Sequence, residues 1–130
     1  MEIKPTHVTF EQAKLLKEKG FNIPCNRHCF IGNTGKIVFE TSVHCIDWGN
    51  RPLTKTIQKY SAPEQWQVIE WLRVKHGIHI VAFPELLNGE KVRYYPSVFE
   101  GGIGEDIEEY FDTPQEATSA AIDYVLNNLI

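Results

Sequence analysis

The chain has 130 residues, 42% of them hydrophobic and 12% aromatic, enough to fill one core and too apolar for a disordered segment. Its formal net charge of -4 is unevenly divided: up to Tyr60 nine Lys/Arg stand against five Asp/Glu, and beyond it four stand against twelve. Apolar runs stop well short of the roughly 20 residues of a membrane span, and residues 1–5 lack the apolar stretch of a secretory signal, so a cytoplasmic protein without a membrane partner is expected.

Thr9 stands where its hydroxyl can accept a backbone N–H one turn on, and Gln12 follows three residues later, so a capping box is expected to open a helix over 10–20. Phe10, Ala13 and Leu16 share one face of it, and Gly20 supplies the stop. Two β-rich stretches, 28–32 and 36–45, flank Asn33-Thr34-Gly35 and predict a hairpin. Residues 47–52 read as a loop, and the basic stretch 55–59 has no clear period. Ser61 and Pro63 predict the start of a second helix that ends at Gly77, with Trp66, Val68, Ile69 and Leu72 on one buried arc and Trp71 outside it.

A second hairpin, 78–87 with 92–99, is expected around the Asn88-Gly89 turn, with Pro84 and Pro96 at edges or bulges. The glycine-rich acidic stretch 101–106 reads as a connector and 107–111 as a further strand. Thr113 caps a last helix, 114–128, with Glu116 in capping-box position and Ala117, Ala121, Tyr124, Val125 and Leu129 as its core stripe. The fold class that follows is α+β: a single domain over 1–130, its antiparallel sheet built from two β-hairpins and packed with three helices in the order α-β-β-α-β-β-(β)-α. From Pro63 onward the order is α-β-β-β-α, as in double-stranded RNA-binding domains. Such domains place lysines at the start of the last helix, whereas here Glu108, Glu109, Asp112 and Glu116 surround it, so the charge opposes phosphate.

Candidate chemistry is sparse. Cys25, His28, Cys29, His44 and Cys45 are the residue types that tetrahedral zinc selects, but their spacing matches no finger or ribbon, and adjacent residues of a strand point to opposite faces. Three thiols, an odd number, suit buried reduced cysteines better than a disulfide framework. No acyl-enzyme signature surrounds the cysteines, though His28, His44 and His79 are available as bases; a metal-dependent or cysteine hydrolase is therefore the third reading. Trp48, Arg51, Lys55, Lys59 and Tyr60 interleave aromatic and basic residues, as surfaces that bind single-stranded nucleic acid do, and also as an ordinary loop can. The acidic run 100–109 lacks the spacing of a calcium loop and reads as a solvated face, and Gly101-Gly102-Ile103-Gly104 lacks the lysine or fingerprint of a phosphate cradle, so no cofactor is expected. Trp71, outside the buried arc, calls for a cover, which the Trp48 loop, the C-terminal helix or a protein partner can supply, a homodimer being the expected form of the last.

Three segments carry a family resemblance: 8–21 with Pro24-Cys25; Ser61-Ala62-Pro63-Glu64-Gln65 through Trp71-Leu72-Arg73-Val74-Lys75-His76-Gly77-Ile78-His79-Ile80; and Tyr110-Phe111-Asp112-Thr113 with Glu116-Ala117. They resemble a family of small bacteriophage and prophage proteins. The resemblance implies a mobile-element accessory origin and supplies no activity and no catalytic residue. The expected function is a non-enzymatic macromolecular interaction module; the alternative is a nucleic-acid-binding module using residues 48–60.

Overall fold

Thr9 Oγ1 accepts the Gln12 N–H at 3.2 Å while the Gln12 side chain accepts the Thr9 N–H at 3.0 Å, and this closed capping box starts helix α1, Phe10–Glu18. The helix ends on Gly20, whose φ of 91° allows the Phe21 N–H to reach back to the Leu16 carbonyl at 2.9 Å. The computed structural model describes residues 4–41, 57–89 and 91–130. After α1 come strands β1, Arg27–Ile31, β2, Ile37–Thr41, and β3, Tyr60–Ser61; then helix α2, Gln65–His76, strands β4, Ile78–Leu87, β5, Lys91–Glu100, and β6, Ile103–Asp106, and helix α3, Pro114–Asn128. The architecture is α+β, with both expected hairpins present, each in its own three-stranded antiparallel sheet. The chain divides into two compact units, Met1–Glu64 and Gln65–Ile130.

In the first unit the strand order is β2-β1-β3, and α1 packs on β1 and β3. Its core gathers Val8, Phe10, Ala13, Leu16, Phe21, Cys29 and Ala62. The β1–β2 turn is a type I turn closed by Gly35 N–H to Gly32 O at 3.0 Å, with Gly35 at φ 80° so that Gly32 can pair with Lys36. Strand β3 lies at the end of the basic stretch that had no readable period. It also corrects the start of the second helix: Ser61 is paired with His28, Ala62 and Pro63 bond to Arg27 and Val8, and α2 begins only at Gln65.

In the second unit the strand order is β4-β5-β6, and α2 and α3 both contact β4. Ile78, Ile80 and Val98 are buried, and Ile80 pairs with Val98, so alternation assigns these positions to the helix-covered face. Facing them, α3 buries Ala117, Ala121, Ile122, Val125 and Leu126, while Tyr124, half-buried, donates to Glu105 at 2.6 Å. The remaining face carries His79, Val81, Phe83 and Glu85 of β4 with Arg93, Tyr95, Ser97 and Phe99 of β5. The last strand is Ile103–Asp106, entered through Gly101 and Gly102 at φ 58° and 83°; residues 107–111, expected as a strand, make only a two-residue bridge between Phe111 and Tyr94.

Helix α2 turns a different side inward from the one its apolar spacing suggests. Gln65, Val68, Trp71 and Leu72 are buried, an arc of roughly 120° at about 100° per residue, and Trp66 on the other side is 62% exposed.

Gly104 makes one close approach that a side chain would disrupt: an added Cβ would stand 2.6 Å from Phe99 Cε1. Gly104→Ala is expected to destabilise the protein by about 1–3 kcal/mol in urea denaturation. Removing the ring as well, in Phe99→Ala with Gly104→Ala, should make the two changes clearly less than additive.

Candidate functional site

Of the first unit's candidate residues, Cys25, His28 and Cys29 are buried. His28 is 3% exposed, and its Nε2 lies 3.1 Å from Oε2 of Glu40, its register partner on β2. Burial pushes the imidazole below its ordinary value, a shift opposed by the hydrogen bond to Glu40 and reinforced by the charge of Lys59. Cys29, the next residue along β1 and so on the other face, is fully buried, and burial pushes its thiol up to about 12. A thiol held protonated in this way is a poor nucleophile. Cys25 is also buried and donates its Sγ–H to the Arg27 carbonyl at 3.2 Å. Among the described residues no three His, Cys, Asp or Glu side chains gather into a metal-holding group; the candidates His44 and Cys45 lie outside the described residues.

The basic and aromatic candidates separate. Lys59 is 4% exposed, which removes it from any open phosphate-binding surface, while Trp48, Arg51 and Lys55 lie outside the described residues. Tyr60, in β3, meets Phe10 edge-on at 5.8 Å and carries the Lys17 ammonium 5.5 Å above its ring; Lys14 stands 5.7 Å over Phe10. The cations beside Tyr60 thus come from α1, some 40 residues earlier in the sequence, where local spacing gives no sign of them. Trp71, the residue expected to lead a self-association patch, is 6% exposed with its ring edge-on to His76, while Trp66 and Val74 of the same helix are exposed.

The second unit holds a cleft that sequence reading passed over. Two backbone anchors make it. Ile107 N–H donates to the Pro96 carbonyl at 3.0 Å, and four residues on, Phe111 and Tyr94 exchange N–H to carbonyl bonds at 2.8 Å each. Between the anchors residues 107–111 arch away from β5 and bring Tyr110 edge-on to Tyr95, ring centroids 6.0 Å apart and planes at 72°. Tyr95 in turn stacks on its cross-strand partner Phe83 at 5.6 Å, and the Tyr110 hydroxyl donates to Glu85 at 2.8 Å. That bond, with burial and the neighbouring Glu85 and Asp106 carboxylates, holds the phenol above its ordinary value, so it stays protonated.

The cleft, open on one side, measures about 460 Å³ and is lined chiefly by Glu85, Tyr95, Asp106, Glu108, Glu109 and Tyr110. Asp106 also accepts from the Ser97 hydroxyl. Lys91 and Arg93, the basic residues of β5, are drawn to Asp112 at 3.0 and 3.7 Å, and the hydrogen bond from Lys91 together with the charges of both holds the Asp112 carboxyl below its ordinary value. Among the described residues no ion pair neutralises Glu85, Asp106, Glu108 or Glu109. The one sign of this site in the sequence is the density of carboxylates around Tyr110 between Glu105 and Asp112. The partners Phe83, Glu85 and Tyr95 are supplied by the hairpin.

Buried His28 and half-buried His7 give the first unit a defined pH response. His7 and His28 both stand below the ordinary 6.5 because of burial. As pH falls through 6.5 the unfolded chain takes up these protons first, so stability is complete above that value and declines below it. Urea midpoints measured from pH 7.5 down to about 5 should fall, and the fall should be shallower in His28→Gln; equal slopes would show that His28 does not carry the effect.

No family model, no curated protein and no solved structure matches the chain.

Proposed function

We propose that the chain is a non-enzymatic interaction module, an accessory protein of the mobile-element kind its sequence resembles, and that it binds another protein through the helix-free face of its second sheet. The observation that supports this reading is the ring stack of Phe83, Tyr95 and Tyr110 at the surface, in a unit whose core is already filled from the other face. Phe83 and Tyr110 are exposed, as is neighbouring Val81, and contiguous apolar surface of this kind is characteristic of contact sites. Enzymatic readings have less support, since Cys29 is held protonated out of solvent and His28 is occupied by Glu40. The nucleic-acid alternative retains Lys14, Lys17 and Tyr60 in the first unit but loses Lys59 to burial.

Two measurements separate these readings. Selection from a displayed random-peptide library should yield binders that Phe83→Asp no longer captures, with its circular dichroism unchanged, while Lys36→Ala in the first unit captures them as well as wild type does. Affinity for duplex DNA or RNA at about 150 mM salt should be roughly 100 μM or weaker. Submicromolar nucleic-acid binding that weakens when Lys17, Arg51 and Lys55 become alanine would establish the alternative instead.

A further inference from the structure

We infer that the cleft beneath the 107–111 arch takes a cationic side chain, the guanidinium or ammonium of an arginine or lysine in a basic segment of the partner protein. The inference rests on the reading of this face as a protein-binding surface and adds the chemistry of the ligand. Its starting point is the rings. Tyr95 and Tyr110, which both line the cleft, meet edge to face at 72°, so the ring that presents its edge keeps its faces clear of the other, and an organic cation set against a tyrosine face is attracted by the ring quadrupole. The Tyr110 hydroxyl, tied to Glu85 at 2.8 Å, fixes the ring that forms one wall.

Charge then selects among ligands. Four carboxylates, Glu85, Asp106, Glu108 and Glu109, line the same space, and the nearby cations Lys91 and Arg93 are engaged by Asp112. The whole second unit carries four Lys/Arg against eleven Asp/Glu. A phosphate or carboxylate ligand would be repelled, and a purely apolar segment would bury carboxylates without compensation. A bare metal ion fits less well than an organic cation: among the described residues no three ligating side chains converge into a cage, and two of the walls are aromatic. At about 460 Å³ the cleft falls within the size range of small-ligand sites, with room for a long side chain and its waters.

The test is a titration of the full-length, isotope-labelled chain followed by amide NMR. The probes are a glycine-serine peptide with three spaced arginines and the same peptide with citrulline, the neutral isostere, at each arginine. The arginine peptide should shift the amides of residues 85, 95 and 108–110, with an affinity at least about tenfold above that of the citrulline peptide. Tyr110→Ser should weaken arginine-peptide binding about tenfold, the double change Glu108→Gln with Glu109→Gln by at least about threefold, and Tyr110→Phe, which keeps the ring, by less than either. The spectrum of each variant reports its own fold, and the glutamine pair, on an exposed loop, tests the charge without touching the aromatic stack. Equal affinity for the citrulline peptide would overturn the inference and leave protein docking standing. No shift at about 10 mM arginine peptide would overturn it too, with the library selection deciding separately whether the face binds protein at all. Displacement of the peptide by equimolar calcium would reassign the cleft to a simple ion.

Discussion

The register of the β4–β5 ladder is the constraint on which the second unit depends. Ten consecutive pairs, from Ile78 with Glu100 to Leu87 with Lys91, fix which side chains meet across the hairpin. Because side chains alternate with a period of two, a slip of β4 by one residue would send Ile78 and Ile80 away from the helices and turn Phe83 toward the helix side. The turn supplies part of that registration. Asn88 and Gly89 both adopt positive φ, 55° and 70°, the backbone an Asn-Gly pair permits at least cost. The ladder closes at Leu87 with Lys91, so the connection spans three residues, one more than the Asn-Gly signal by itself implies. The register is therefore also set by burial along the strands.

Burial is uneven along that ladder, and the unevenness produces the site. Near Ile78 the sheet is pressed against α2 and α3; beyond Ala82 the residues of β4 are exposed or half-buried. On the helix side Leu86 and Val92, cross-strand partners, remain in water, and on the other side Phe83 and Tyr95 have each other and Tyr110. Aromatic pairs of this geometry add stabilisation beyond the area they bury, which gives the outer half of the hairpin an anchor that does not depend on the core.

Much of this arrangement was legible in the sequence where local chemistry is decisive. The Thr9 and Thr113 caps, the Gly20 stop and both hairpins follow from residues within a few positions of one another. Tertiary competition explains the misreadings. Ser61 has the chemistry of a helix cap, but pairing with His28 takes it into β3, and α2 starts four residues later. Trp66 and Trp71 are equally apolar, so spacing alone could not say which is buried, and the arc centred on Val68 selects Trp71. Ile107 has the β-branched look of a strand residue, yet the chain pairs earlier, at Ile103–Asp106, because the Gly101-Gly102 turn returns it to β5 at once. The cleft was the least legible feature. Three of its four carboxylates, Asp106, Glu108 and Glu109, lie close together in the sequence and resemble an ordinary charged surface, and their meaning comes from Phe83 and Tyr95, rings more than ten positions away.

The arch over β5 has one more property. Its ends are held by main-chain bonds, Ile107 to Pro96 and Phe111 to Tyr94, which any residue other than proline could supply at the donating positions. Glu108, Glu109 and Tyr110 are exposed between those ends and contribute nothing to the buried core. The attachment of the arch to β5 is thus made by backbone atoms, while its exposed surface is made by side chains. Glu108 and Glu109 could therefore be rewritten freely while the hairpin beneath them stayed the same, whereas Tyr110 also holds Tyr95 and Glu85.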